Sequence, residues 1–153
     1  MNPSTTKKSS PVESPKKARR AALRVLYAID VSGLPVEKAL ADTRETLREE
    51  DDDPNPYWEE VALRVRGVIG QLEKIDDEIR VLSPSWRIER MAAVDRNLLR
   101  LGIFEILDKI TDPLIVINAC VELAKEFGAA STPGFINGLL DQLCQNHDIP
   151  IAQ

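Results

Sequence analysis

The chain has 153 residues, of which 43% are hydrophobic and 29% are charged, a composition typical of a folded globular protein. No apolar run approaches the ~20 residues that a membrane-spanning helix needs, and the basic N-terminus lacks the apolar stretch of a secretory signal. Two distant cysteines and one histidine fit neither a disulfide framework nor a zinc site, so we expect a reduced, cytoplasmic protein without a bound metal.

Positive charge is concentrated at the N-terminus of an otherwise acidic chain. Residues 1–26 contain seven Lys and Arg against one acidic residue, a net charge of +6, whereas the other 127 residues contain 13 against 24, a net charge of −11. This separation suits a protein of which one end meets a polyanion such as nucleic acid. A solvated basic tail on an ordinary domain is the alternative that charge alone leaves open.

The first part of the chain predicts helices separated by chain-breaking residues. Residues 1–15 are rich in proline and serine and are predicted to be disordered, and helical periodicity begins at Lys16. Gly33 and Pro35 end this first helix, and a second helix is predicted over residues 36–47.

The middle of the chain predicts a loop and two long helices. The acidic sequence EEDDDPNP at 49–56 breaks the helical pattern, and a third helix is predicted over residues 57–82. Apolar residues cover most of the circumference of the next helix, predicted over 92–110, so we expect it to be the buried centre of the fold.

The last part of the chain predicts two more helices. Pro113 begins the first of them, and Gly128, as the residue that follows its C-cap, ends it. Ser131 or Thr132 can cap a final helix that ends near Gln145. Because no segment alternates as a strand would, the fold class is all-α, with about seven helices.

The sequence holds no arrangement that predicts catalysis. Its glycines fit neither a phosphate-binding loop nor a dinucleotide fingerprint, and no nucleophile elbow or Cys/His pair is present. The lone His147 is expected to be a solvent residue near the C-terminus. We therefore predict no catalytic residue, no metal ligand and no cofactor.

Cations follow one side of the first predicted helix. Lys16, Arg20 and Arg24 recur at i, i+4 and i+8, with Lys17 and Arg19 beside them. Guanidinium and ammonium groups suit phosphate oxygens, and arginine can also stack on RNA bases. We expect these side chains to be exposed and to bind nucleic acid, with a solvated helix face as the alternative.

Two aromatic residues have two interpretations each. Tyr27, at the end of the first helix, is either a core residue with its hydroxyl at the surface or part of the binding face. Phe135 follows a loop rich in small residues and is either a core residue or a platform on which a base stacks.

Three segments carry a likeness to a known family. They are KKARRAALRVLY at 16–27, DRNLLRLGIFEIL at 95–107 and INACVELAKEFGAASTPGFINGLLD at 117–141. Together they resemble the NusB family of bacterial transcription antitermination factors, over about residues 16–143. The most specific part is VELAK-FG followed by F-NG-LD, whereas residues 33–90 match by helix pattern only.

The resemblance implies a fold, a function and partners. The implied fold is a pair of small helical bundles without catalytic activity. The implied function is to bind the boxA element of ribosomal RNA leaders together with NusE, a protein of the small ribosomal subunit, and then to join NusA, NusG and RNA polymerase. Some members of the family form homodimers, so self-association is also possible.

The resemblance also assigns residues on the first helix. Lys16, Lys17 and Arg19 fall on basic positions of the family's N-terminal arginine motif, which contacts RNA. Arg20 stands where an acid is frequent and Arg24 where glutamine is usual, so this helix is more basic than is typical of the family.

Further positions follow from the same likeness. Tyr27 matches the family's Leu-Tyr, and Phe135 and Asn137 match its Phe-x-Asn-Gly, which lies near the RNA surface. Asp95 matches an acidic position implicated in the NusE contact, and capping of its own helix is the alternative role. The chain departs from the family at Ala119, where glutamate is usual, and at Gly134, where a basic residue is frequent.

These interpretations divide the chain into three parts and leave two other hypotheses open. The parts are a disordered basic extension over 1–15, a helical RNA-binding domain over 16–146 and a C-terminal tail over 147–153. One alternative is a protein-interaction module whose basic helix is masked in a homodimer. The other is a stand-alone RNA-binding domain related to ribosomal RNA cytosine methyltransferases.

Overall fold

The computed structural model describes residues 13–151, and this part of the chain is built from helices. It contains seven α-helices and two short 3-10 turns, at Asn55–Tyr57 and Ile88–Arg90, and no β-strand lies within the described range. The α-helices are α1 (Glu13–Ser32), α2 (Val36–Glu49), α3 (Trp58–Gly70), α4 (Leu72–Leu82), α5 (Ala93–Leu107), α6 (Pro113–Phe127) and α7 (Thr132–Asn146). The prediction of an all-α fold with about seven helices is confirmed.

Chain-breaking residues set several of the helix boundaries as predicted. Gly33 follows α1 with a φ of 68°, a left-handed conformation that glycine adopts without steric cost, and its N–H donates to the carbonyl of Ile29 at 3.0 Å. Asp112 caps α6 because its carboxylate accepts the N–H of Leu114 at 2.9 Å, with Pro113 at the first helical position.

Two boundaries differ from the prediction. Helix α1 already includes residues 13–15. Pro15 is tolerated there because N–H groups in the first helical turn have no intrahelical acceptor, so the N–H that proline lacks costs no hydrogen bond. The predicted helix over 57–82 is instead two helices, interrupted at Gln71 (φ −122°, ψ 22°) directly after Gly70. Glycine is a poor helix former by about 1 kcal/mol relative to alanine, which favours a break at this point. The predicted disorder of residues 1–12 lies outside the described residues.

The connection between α6 and α7 also differs from the prediction. Gly128 is extended (φ −95°, ψ 179°) rather than left-handed, and a Cβ on it would lie 2.6–2.8 Å from the side chain of Thr132. Glycine is therefore required by close approach. Capping of α7 by Ser131 or Thr132 is wrong, because Ser131 makes no capping bond and the hydroxyl of Thr132 accepts the N–H of Ala129 at 3.0 Å.

The described residues fall into two compact units, which are divided between Arg66 and Gly67. In the first unit, α1 packs on α2 and on the Asn55–Tyr57 turn. The buried apolar residues of α1 and α2 are Ala18, Ala21, Ala22, Leu23, Val25, Leu26, Ala39, Leu40 and Leu47. Their spacing on α1 leaves one side of this helix for polar residues.

In the second unit, α5 is the central helix and contacts α4, α6 and α7. Its buried apolar residues are Leu98, Leu99, Leu101, Ile103, Phe104 and Ile106, which confirms the predicted buried helix. Gly102 allows α5 to approach its neighbours, since a Cβ there would lie 2.8 Å from Leu140 of α7 and 3.3 Å from the sulfur of Cys120 of α6. Among the described helices, none is long and apolar enough to cross a membrane.

Candidate nucleic-acid interface

The outer side of α1 presents cations and one aromatic ring. Lys16 and Arg20 are exposed, and Arg24 is about one-third exposed. Tyr27 is 43% exposed, so its interpretation as a core residue is wrong. Because these residues recur at i, i+4, i+8 and i+11, they line one side of the helix. We call Lys16, Lys17, Arg20, Arg24 and Tyr27 the α1 basic stripe.

Arg19 does not belong to this stripe. It is 2% exposed and is partnered within the structure, so the expectation that it is exposed is wrong. The sequence contained the signal, since Arg19, Leu23 and Leu26 recur at i, i+4 and i+7 on the apolar side of α1. Burial of its long aliphatic stem gives Arg19 a packing role in the first unit.

Arg24 and Lys17 of the α1 basic stripe pair with acidic residues that follow α2. Arg24 donates from its two terminal nitrogens to the two carboxylate oxygens of Glu50, at 3.1 and 3.3 Å. The ammonium of Lys17 lies 3.5 Å from a carboxylate oxygen of Asp52. The acidic segment, residues 49–53, therefore lies against the stripe.

The acidic segment is itself fixed to the first unit. The buried Tyr57 donates its hydroxyl to the carboxylate of Asp52 at 2.6 Å, and the N–H of Asp52 donates to the carbonyl of Leu47 at 3.0 Å. Burial is the larger cause, and this hydrogen bond to the carboxylate the second, of a pKa of Tyr57 well above its usual value. The phenol therefore keeps its proton at neutral pH. The position of Asp52 is thus set by a buried side chain rather than by its contact with Lys17.

In the second unit, Phe135, one of the two family positions on α7, lies beside an aromatic residue that the sequence interpretation missed. Phe135 is partly buried and Asn137 is exposed. The ring of Trp86, which is 58% exposed, lies with its centroid 6.0 Å from that of Phe135 at an interplanar angle of 46°. Phe135 is therefore neither a fully buried core residue nor an isolated platform, since it supports a second, more exposed ring.

The turn that carries Trp86 is held by a buried serine. The N–H of Trp86 donates to the carbonyl of Ser83 at 3.1 Å, and the hydroxyl of Ser83 donates to the carbonyl of Ile79 at 3.0 Å. The next residue, Arg87, is exposed. The sequence signal for an exposed Trp86 is its position in a turn of serine and proline, because such a turn offers little apolar surface to bury a large aromatic side chain.

Asp95 lies in the first turn of α5 but does not cap it. The N-cap residue is Ala92, so the predicted capping role of Asp95 is wrong. Its carboxylate instead accepts the hydroxyl of the buried Thr132 at 3.0 Å. A chain of hydrogen bonds thus runs from the N–H of Ala129 through Thr132 to Asp95 and ties the start of α5 to the start of α7.

The histidine and the two cysteines have structural surroundings. His147 lies with Nε2 2.8 Å from a carboxylate oxygen of Glu78, which gives the histidine a partner that the sequence did not predict. Cys120 and Cys144 are buried and form no disulfide. Within the part of the chain that is described, no group of three or more His, Cys, Asp or Glu is placed to hold a metal ion.

The fold and the surface together define a class of protein. It is an all-α protein of two units, with a row of cations on its first helix that ends in an exposed aromatic residue. The model of the NusB family matches residues 16–145. The chain therefore belongs to the NusB family, which confirms the resemblance seen in its sequence.

Named relatives and solved structures agree with this assignment. The transcription antitermination protein NusB of Sorangium cellulosum is 38% identical over 131 residues, which cover 84% of this chain and 89% of the relative. The T. maritima NusB structure has a TM-score of 0.75 at 27% identity and covers 85% of this chain and 89% of that chain. A crystal structure of antitermination factors NusB and NusE in complex with dsRNA has a TM-score of 0.76 at 27% identity and covers 87% and 97%.

Proposed function

We propose that the chain is a transcription antitermination factor that binds boxA RNA of ribosomal RNA leaders together with NusE. In this proposal it then helps to assemble the antitermination complex with NusA, NusG and RNA polymerase, in the cytoplasm and without catalysis or a cofactor. The observation in this chain that carries the proposal is the α1 basic stripe, a row of accessible cations ending in an exposed aromatic ring.

The stripe has the chemistry of a contact for single-stranded RNA. We propose that Lys16, Arg20 and Arg24 meet successive phosphates, since arginine and lysine side chains pair with phosphate oxygens. Tyr27, which is exposed at one end of that row, is proposed to stack on an unpaired base. Arg19 supports this surface from the buried side of the helix and is not proposed to touch RNA.

The second unit offers a stacking surface of its own. Trp86 and Phe135 present adjacent rings, and the exposed Asn137 carries an amide that can hydrogen-bond the edge of a base. The residue before Phe135 is Gly134, which has no charge, whereas the residue after Trp86 is the exposed Arg87. We propose that phosphate contact in this unit comes from Arg87.

Two features support a complex with NusE. A NusB protein similar to this chain has been solved with NusE and dsRNA. A single helix also provides little surface for sequence-specific reading of a single strand, so a partner is needed for tight binding. We propose that Asp95 presents its negative charge to NusE.

The test is a titration of a boxA RNA oligonucleotide with and without NusE, at several salt concentrations. Binding through two to four cations of the stripe predicts a log–log slope of about −1.4 to −2.8, because each phosphate neutralised on a single strand contributes about −0.7. NusE should raise the affinity for RNA, and RNA should raise the affinity for NusE by the same factor. A slope near zero would overturn the electrostatic part of the proposal.

Two controls separate this proposal from its alternatives. The mass of the protein in solution, measured alongside, detects self-association, and a homodimer that loses RNA affinity as it forms would favour a masked basic helix instead. A methyl-transfer assay with ribosomal RNA tests the relation to cytosine methyltransferases.

A further inference from the structure

The acidic segment occupies donors that the proposed function assigns to RNA. We propose that residues 49–53 act as an internal mimic of RNA phosphates, which competes with RNA for Arg24 and Lys17 and so weakens binding to polyanions in general. This inference rests on the proposed function, because it describes how the same RNA-binding surface is regulated.

The geometry at Arg24 makes the competition direct. Both terminal nitrogens of its guanidinium already donate to the carboxylate of Glu50, at 3.1 and 3.3 Å. A phosphate that took the same two-pronged arrangement would have to displace that carboxylate, because both anions need the same two donors. For a phosphate bound in this end-on arrangement, the ion pair is an alternative to the RNA contact and not a support for it.

The same segment meets the stripe at a second point. Asp52 lies 3.5 Å from Lys17, at a distance that allows ion pairing without close hydrogen bonding. Asp52 is anchored by the hydroxyl of Tyr57, so the segment remains beside α1 when a phosphate takes its place on either cation. Anchoring keeps the effective concentration of the competing carboxylates high.

The competitor is weak enough to be displaced. The side chains of Arg24 and Glu50 are 37% and 52% exposed, and exposed ion pairs contribute little free energy. An RNA that gains base contacts elsewhere can overcome this cost, whereas a polyanion that offers phosphates alone keeps a lower affinity. The device therefore limits non-specific binding by a protein whose first 26 residues carry a net charge of +6.

The experiment compares Glu50→Gln with a matched control, Glu37→Gln. Glu37 forms the same kind of exposed, two-pronged pair, with Arg66 at 2.7 and 3.0 Å, and its replacement removes the same charge from the same unit. RNA affinity is measured for a boxA oligonucleotide and for an unrelated single-stranded oligonucleotide of equal length. Thermal melting of each variant checks that it is folded.

We expect Glu50→Gln to bind both RNAs about 1.5- to 5-fold more tightly, the range that corresponds to an exposed ion pair. The gain should shrink as salt rises, because salt screens the pair that the substitution removes. Glu37→Gln should leave both affinities unchanged. In an Arg24→Ala background, Glu50→Gln should give no gain, since the donor for which it competes is absent.

Three results would overturn the inference while the proposed function stands. Unchanged or weaker RNA binding by Glu50→Gln would mean that Glu50 positions Arg24 for RNA. An equal gain from Glu37→Gln would mean that only net charge matters, and a gain that persists without Arg24 would mean that Glu50 acts elsewhere. Absence of RNA binding by the unmodified protein, with or without NusE, would overturn the proposed function itself.

Discussion

The two units hold their ion pairs in different ways. In the first unit, Arg24 and Glu50 are paired at the surface, with 37% and 52% of their side chains exposed. In the second unit, Arg100 of α5 and Asp76 of α4 form a pair at 2.8 and 2.9 Å whose side chains are only 11% and 13% exposed. The first kind is exchangeable and sensitive to salt, whereas the second is part of the packed interior.

This difference indicates that the first unit is suited to exchange ion-pair partners and that the second unit is suited to stabilise the fold. A surface pair can be given up to a phosphate at small cost, so the first unit can change partners without unfolding. The charged groups of Arg100 and Asp76 are largely buried, so each is stabilised by the opposite charge of the other. The residues of α5 around them are mostly buried. Five predictions test this difference between the units.

The largest expected effect is in the core of the second unit. Leu101→Ala should lower the free energy of unfolding by about 2–5 kcal/mol, because Leu101 is fully buried at the centre of α5 and its truncation opens a cavity. Chemical denaturation measures the loss. Leu63→Ala is the control, since Leu63 is 45% exposed and should cost within about 0.5 kcal/mol.

The buried ion pair should respond next most strongly. Asp76→Ala should cost about 3 kcal/mol, because it leaves the guanidinium of Arg100 largely out of water without its carboxylate partner. Glu37→Ala removes a carboxylate from an exposed pair of similar geometry in the first unit. Equal losses for the two variants in denaturation would contradict the distinction between the units.

Substitution of Arg19 and substitution of Arg24 should have different effects, although both residues lie on α1. Arg19→Ala should cost about 1–3 kcal/mol, because the buried guanidinium leaves both a void and an unsatisfied partner. Arg24→Ala should stay within about 0.5 kcal/mol in stability and should weaken RNA binding. Melting curves paired with RNA titrations check both, and a melting temperature unchanged by Arg19→Ala would place that arginine at the surface after all.

Local signals in the sequence sufficed for most of the fold. Glycine, proline and aspartate at positions 33, 113 and 112 mark helix ends because their effects act within one turn, and the apolar circumference of α5 predicted its burial. The interruption at Gln71 was missed, since one glycine weakens a helix without deciding whether tertiary packing will break it.

The candidate site was less predictable because its decisive contacts join distant parts of the chain. Arg24 and Glu50 are 26 residues apart, and no helical spacing reports that the acidic segment folds against α1. The pairing of Trp86 with Phe135 likewise depends on how a turn meets α7. The spacing of Arg19 from Leu23 and Leu26 indicates that Arg19 lies on the buried side of α1, whereas its charge favours an exposed position.

Trp86 tests whether the second unit also contacts RNA. Trp86→Ala should weaken binding of boxA RNA by about 1–3 kcal/mol, the effect of removing one base–aromatic stack. Because the ring is 58% exposed, the melting temperature should change little. Val81→Ala is a control for loss of exposed apolar surface, since Val81 is also exposed. Unchanged RNA affinity would restrict the proposed RNA contacts to the first unit.

The smallest expected effect on stability is that of Asp95→Asn, which separates two roles of the Asp95 side chain. Its carboxylate accepts the hydroxyl of Thr132, and an asparagine at the same position retains an oxygen that can accept this bond. Asp95→Asn therefore removes the charge and keeps the structural contact. Asp95→Ala removes both and leaves the buried hydroxyl of Thr132 without that acceptor, at a cost of about 1–3 kcal/mol.

If Asp95 presents its charge to NusE, Asp95→Asn should change the affinity for NusE while the melting temperature stays within a few degrees. Charged groups at an interface act on recognition and on association rate, so the change should diminish as salt rises. If Asp95 serves only to hold Thr132, Asp95→Asn should match the unmodified protein in both measurements. In that case only Asp95→Ala would differ, through its lower melting temperature, and the acidic position would owe its role to the connection between α5 and α7.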